Sequence, residues 1–338
     1  MGRLDSILAR VRGGIYLFEV VTLASLVATV AFLRRHRLRI DWQTFEYTVP
    51  PLIPVMAKYL VVGIALYAVY LLLKRRQIRP YIRRLLSASW LVLTLRLWVA
   101  IIGFFFCYMW LKVCVPLVNY RLWDGVFWRL DTWIHLGFSP SVFLIELARG
   151  TGLIRVLDLW YGLWLPTVSL TIAFFLAMPA ARVRRRFILS CVLIWVLGAW
   201  IYVALPALGP IYALRPHFEE VLPEIPHASG AQAMLWSNYE KVVAGREGNL
   251  KQFKPALGVA AMPSLHVGVH WLLMLWIRRY FRAFFAVAAV GTLLTFLGSI
   301  VTGWHYAVDG YVGIALASLC YWLANRSERP RTALPQAA

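Results

Sequence analysis

Acidic residues are scarce in this chain of 338 residues: 15 Asp and Glu stand against 35 Lys and Arg. Charge of either sign is also sparse, at 15% of residues, where an ordinary soluble domain carries roughly 25%. That scarcity, with 61% hydrophobic residues and a mean hydropathy of +0.68, excludes a typical soluble domain and reads as an all-α integral membrane protein. Cysteine is rarer still. Cys107, Cys114, Cys191 and Cys320 all fall inside apolar runs without metal-ligand spacing, so they read as free core thiols. No internal repeat or low-complexity segment is apparent.

Long apolar runs fill the rest. Crossing a hydrocarbon core of roughly 30 Å takes about 20 apolar residues. Candidate spans lie near 14–33, 56–73, 86–115, 158–178, 187–207, 263–277, 283–303 and 306–323. The first reads as a retained span, since no small-residue cleavage site follows it and basic "RRHRLR" comes directly after. The formal charge of +20 does not indicate a nucleic-acid partner, because the basic residues sit in short runs between spans, where they set topology and meet anionic lipids.

The runs at 74–84, 182–186, 278–282 and 326–331 are all expected on the cytoplasmic side. The connections 119–150, 208–262 and 302–305 then face outward. The run at 34–39 conflicts with this scheme, so either the first span does not cross fully or 40–55, with Pro50, Pro51 and Pro54, holds an irregular element. Segment 121–150 mixes Trp with Asp124, Asp131 and Glu146 and is expected to lie along the membrane surface. Segment 208–262 is the one long polar stretch and is expected to be an outer loop, of a length uncommon unless functional or disordered. The chain divides into an N-terminal membrane segment with two spans (1–85), a six-span core (86–325) and a cytoplasmic tail (326–338).

Ionisable residues at membrane depth are costly and mark function. Asp309 is the only acid between Glu247 and Glu328, and His305 precedes it by four residues, on one helical face. A carboxylate there holds the imidazole Nδ1 proton and leaves Nε2 as nucleophile or base; the plainer alternative is a buried packing contact. In "AMPSLHVGVH" (261–270), Pro263 suits a first helical turn, and the backbone amides around Ser264 and Leu265 would form an anion site. His266 lies one turn in, on the same outer face as His305. His270, deeper, reads as structural. A phosphate cradle with two histidines suits phosphoryl transfer, one attacking phosphorus and the other protonating the leaving oxygen.

"PSLH" (263–266) and "GSIVTGWHYAVD" (298–309) resemble the second and third motifs of the phosphatidic acid phosphatase type 2 (PAP2) superfamily, PSGH and SRxxxxxHxxxD. The resemblance implies a six-helix transmembrane core over 86–323, here with about two extra N-terminal helices. It also implies a phosphohistidine at His305, Asp309 orienting it, and His266 as general acid, with no metal and no cofactor. The departures are Leu265 for the second motif's glycine, and Gly298 and Ser299 for the third motif's Ser and Arg. Of the first motif, KxxxxxxRP, only Arg215 and Pro216 remain, with Leu208 at the lysine position. The missing charge is expected from Arg215, Lys251 and Lys254, with Ser299 and the Ser264 and Leu265 backbone completing the phosphate site.

"SLH", "HYAVD", "DGVFWRLDTWIHLGFSP" (124–140) and "LPALGP" (205–210) are together similar to the inositol phosphorylceramide and sphingomyelin synthase branch. That implies transfer of a phospho-head group from a phospholipid donor to a lipid hydroxyl; the loop charges place the site at the non-cytoplasmic face. Three alternatives stay open: a lipid phosphatase that releases phosphate to water, a metal site built from His266, His305 and Asp309, and a lipid or ion transporter.

Overall fold

The computed structural model describes residues 14–38, 50–245 and 254–327, and every regular element among them is helical. Helix is the expected outcome for apolar runs in lipid, where each backbone amide and carbonyl must be satisfied within its own segment. Among the described residues, six helices are long and apolar enough to cross a membrane. They are α1 (Leu17–Arg35), α2 (Leu52–Leu73), α4 (Ala88–Val118), α9 (Ala181–Ala204), α12 (Phe285–Val301 with the turn Arg282–Phe284 before it) and α13 (Ala307–Arg326). A short basic helix, α3 (Ile78–Leu85), links α2 to α4.

Two expected spans differ in form. The run at 158–178 is a pair of helices, α7 (Leu153–Gly162) and α8 (Trp164–Ala177), bent by 46°. Pro166 accounts for the break: it has no amide to give the Gly162 carbonyl, and its ring crowds that carbonyl. The run at 263–277 becomes α11 (Leu265–Tyr280), of 16 residues, about 24 Å long at the usual rise. Pro263 lies outside this helix. Ser264 is the N-cap, its hydroxyl accepting the Val267 amide at 3.4 Å, because a serine oxygen satisfies an orphan first-turn donor and proline cannot.

The core comprises α4, the α7–α8 pair, α9, α11, α12 and α13, with α1 lying against α4 and α9, and α2 against α8. At its centre Phe175, Phe187 and Trp276 pack ring to ring, Phe175 and Phe187 stacked at 4.3 Å. Glu19 of α1 meets Arg96 of α4 at 2.5 Å, half-buried, which fixes the first helix to the core.

Helices α11 and α13 cross backbone to backbone. A Cβ at Gly313 would stand 2.3 Å from the Ser264 carbonyl oxygen, and one at Gly268 would stand 2.8 Å from the Gly313 carbonyl oxygen. Both neighbours are main chain and cannot rotate away. Gly313→Ala is therefore expected to push the two helices apart and cost about 1–3 kcal/mol, measurable as a lowered thermal midpoint in detergent together with reduced turnover.

The same end of the core that starts α11 and α13 also ends α4, α9 and α12, so one layer of connections covers it. That layer contains α5 (Asp124–Ile134), α6 (Pro140–Ala148), a turn at Pro210–Ala213 and α10 (Pro226–Ala244). Segment 208–262, expected as a loop, thus carries a helix of 19 residues. Pro226 opens it in the first turn, and the Asp158 carboxylate from α7 accepts the His227 and Ala228 amides at 3.0 and 2.8 Å, an N-terminal cap supplied from outside the segment.

Candidate active site

His305 sits in the turn between α12 and α13, and His266 in the first turn of α11. Their rings meet, His266 Nδ1 lying 3.3 Å from His305 Nε2. Behind His305, its Nδ1 is 3.4 Å from Asp309 Oδ2. This is within ion-pair reach and out of line for a hydrogen bond, since His305 Nδ1 and Asp309 Oδ1 have no hydrogen-bond partner. Asp309 is fully buried, and its Oδ2 accepts the Tyr306 amide at 3.0 Å, so the carboxylate is held by the turn that carries His305. Burial, with the positive charge of Lys112 adding to it, pushes the His305 imidazole down to about 3. His305 is therefore neutral at physiological pH, the state in which a ring nitrogen has a lone pair to donate.

Asp309 and His266 approach opposite ring nitrogens of His305. The three do not converge on one point, and among the described residues no group of three His, Cys, Asp or Glu is placed to hold a metal ion.

Both histidines open onto a cavity of about 350 Å³, walled by Tyr161, Trp164, Trp304, Leu208 and Lys112. Tyr161 and Trp164 flank the His266 ring at 4.9 and 4.5 Å between centroids. The Trp164 indole N–H donates to the His266 carbonyl at 3.0 Å, which ties α8 to the start of α11. Lys112 enters from α4, its ammonium over the rings of Tyr108 and Tyr202 at 5.6 and 5.5 Å. Sequence reasoning missed it, although Lys112 is the single charged residue between Arg96 and Arg121, and an isolated cation in a membrane span is itself a signal.

The expected phosphate-binding residues mostly lie elsewhere. Arg215 is exposed on the surface turn Arg215–His217, and Lys254 is exposed with its amide bonded to Asn238 at 2.7 Å. Neither lines the cavity, and water solvates both at lower cost than an apolar wall would. Lys251 lies outside the described residues. Ser299 turns back into its own helix, its hydroxyl donating to the Phe296 carbonyl at 2.7 Å, while its carbonyl accepts the His305 amide at 3.1 Å. It fixes the turn and presents no donor to the cavity. The Ser264 amide is taken by the Asp309 carbonyl at 2.9 Å, and the Leu265 side chain packs on Gly198 in the core. The amide cradle expected there is partly closed by the contact of α11 with α13. Leu208, at the position of the missing motif lysine, does face the cavity. His270 bridges Thr295 and Thr167 at 2.6 and 3.2 Å, a structural role.

Two acids of segment 121–150 hold the site's frame. Asp131 Oδ2 and Oδ1 accept the Ala307 and Val308 amides, both at 2.7 Å, capping α13 two residues after His305. Burial pushes the Asp131 carboxyl up, against the lowering effect of those two amides. Asp124 accepts the Leu208 and Gly209 amides at 3.0 and 2.9 Å and the Tyr306 hydroxyl at 2.9 Å. Gly209, at φ 98°, lies against Trp304, where a Cβ would stand 2.5 Å from the carbonyl oxygen, so only glycine lets the outer loop close over the His305 turn. Asp131→Asn keeps the shape and removes one acceptor, leaving a buried amide unpaired. A loss of about 1–3 kcal/mol in unfolding free energy is expected, with activity falling alongside.

Residues 126–323, more than half of the chain, match the family described as the PAP2 superfamily. The chain belongs to the PAP2 superfamily. No curated protein and no solved structure matches it. Members of the PAP2 superfamily are phosphatases or phosphotransferases, and this multi-pass membrane protein is an enzyme of that kind, with lipid phosphates as its general substrate class. Lys112 lies upstream of the matched residues, so the family match does not extend to the cation that the described residues present in the cavity beside its histidines.

Proposed function

We propose that this PAP2 enzyme transfers a phospho-head group from a phospholipid to a lipid hydroxyl through a phosphohistidine on His305. The observation that carries this reading is the 3.3 Å opposition of His266 Nδ1 and His305 Nε2 at the wall of an aromatic cavity. His305 Nε2 attacks phosphorus, and the bond from phosphorus to the diacylglycerol oxygen breaks as His266, entering the cycle protonated, gives that oxygen its proton and becomes neutral. The acceptor hydroxyl then attacks the phosphohistidine, passes its proton to His266, and the N–P bond breaks to restore His305. Asp309 holds His305 and stabilises positive charge on its ring during both steps. Lys112 balances the anionic oxygens in place of the motif cations that are absent here.

The 3.3 Å contact belongs to the unliganded state. A nitrogen about 3 Å from phosphorus and a donor about 3 Å from the leaving oxygen require the two rings to part, so substrate replaces the contact between them. Transfer over hydrolysis is supported by the walls: Tyr161, Trp164, Leu165, Leu208 and Trp304 favour an acceptor that brings its own apolar surface and disfavour water. The branch resemblance of "SLH" and "HYAVD" points the same way. The histidines lie at the opposite end of the core from the basic turns at 74–84, 182–186 and 278–282, which supports a reaction on the non-cytoplasmic face.

Purified enzyme given a phospholipid labelled in its head-group phosphate, with and without a lipid alcohol, tests this. The expected product carries the label on the acceptor lipid and appears only when the acceptor is present. Release of labelled phosphate or phospho-head group to water at the same rate with or without acceptor would establish hydrolysis instead.

A further inference from the structure

At the end of the bundle away from the histidines, α9, α11 and α13 enclose a second recess of about 310 Å³, lined by Arg186, Arg279, Tyr321, Trp322, Asn325 and Arg326. Arg279 is 13 residues beyond His266 along α11, about 20 Å away, so this recess is distinct from the catalytic cavity. Half of its lining is guanidinium, and none of the six residues is acidic. Gathering like charges costs energy unless an anion joins them.

Two of the arginines, Arg279 and Arg326, meet neutral partners among the described residues. Arg186 is buried near the start of α9, at 8% exposure. Arg279 Nη1 donates to Asn325 Oδ1 at 2.9 Å, and Asn325 Nδ2 donates in turn to the Tyr321 carbonyl at 2.8 Å. The Arg326 guanidinium lies 4.0 Å over the Trp322 ring. An amide and an aromatic face orient these two groups and, among the described residues, leave their charge uncancelled, which is how a phosphate-binding fork is pre-organised. Beside the recess, Leu319, Trp322 and Leu323 are exposed on α13 at i, i+3 and i+4, an apolar stripe running from the basic rim toward the middle of the bundle.

We propose that this recess is a binding site for an anionic phospholipid, with its phosphate between Arg279 and Arg326 and its acyl chains along the Leu319–Leu323 stripe. The stripe distinguishes a membrane lipid from a soluble phosphate, which would use the arginines alone. Basic recesses between transmembrane helices, rimmed by tryptophan at the interface, suit such headgroups.

The test uses the full chain in neutral detergent, titrated with phosphatidylglycerol, phosphatidylcholine or inorganic phosphate, with bound lipid counted by native mass spectrometry. An Arg279→Gln/Arg326→Gln variant is compared with wild type, and Arg75→Gln serves as a basic-surface control. The catalytic cavity is the same in all three, so lipid held there cancels. Phosphatidylglycerol is expected to bind wild type and the control equally, and the double variant more weakly by about fivefold for each arginine removed. Should the double variant not fold, Arg326→Gln alone, at an exposed position, is expected to show the single fivefold loss. Unchanged phosphatidylglycerol binding in the folded variant, equal binding of phosphatidylcholine, or full competition by millimolar inorganic phosphate would each overturn the proposal.

Discussion

Replacing His305 with alanine is expected to lower turnover by roughly 10³-fold or more and to abolish labelling of the protein by a donor carrying radioactive phosphate, because the attacking ring nitrogen is removed. His266→Ala is expected to cost about 10²–10⁴-fold for a different reason, and the two variants separate on one substrate. With a phospholipid analogue whose leaving group is an acidic phenol, departure needs no proton. His266→Ala should then recover most of its rate, while His305→Ala should recover none. Equal rescue of both variants, or phosphoenzyme formation by His305→Ala, would remove His305 from the nucleophile's role.

The second large effect is expected at Lys112. The neutral variant Lys112→Met keeps the stem that packs near Tyr108 and Tyr202 and deletes the charge beside the histidines. In a cavity that excludes water, one such cation is worth about 10²–10³-fold in kcat, the range for a single preorganised charge-stabilising group. Lys112→Arg should retain part of the rate. Arg215→Ala and Lys254→Ala, both exposed and off the cavity wall, should remain within about threefold of wild type. The reverse ranking, with Arg215→Ala severe and Lys112→Met mild, would return the phosphate to the residual first motif.

What the sequence makes legible follows the range of the interactions. The positions of the spans follow from runs of apolar residues, and the His305–Asp309 pair follows from spacing within one turn. The placement of His266 opposite His305 follows from counting crossings between two motifs. Lys112 is another matter. It is 154 positions from His266 in the chain and reaches the site only through the packing of α4 along α9, which no local pattern encodes. Arg215 is the converse: its Arg-Pro pair looks like a motif, yet the turn beginning at Pro210 directs it to solvent while Leu208 and Gly209 face inward. The caps at Asp131 and Asp158 pair carboxylates with amides 176 and 69 positions away or more, so their composition could be read while their partners could not. Helix α10 was accessible in principle, since Pro226 at a first turn and the following "HASGAQAMLW" carry helix signals. Its polarity masked them.

The shortness of α11 fixes how deep the reaction takes place. At 16 residues, or about 24 Å, it falls short of a hydrocarbon slab of roughly 30 Å. Were Arg278 and Arg279 to sit among headgroups at one surface, the His266 end would stop below the opposite surface. On the proposed function, a phosphodiester would then sink beneath its own headgroup plane to react. A lipid can do this while its chains stay in the leaflet, offsetting the dehydration of its phosphate; a free sugar phosphate or nucleotide has no such anchor. Selection for membrane substrates is thus built into the length of one helix, before any side chain touches a head group.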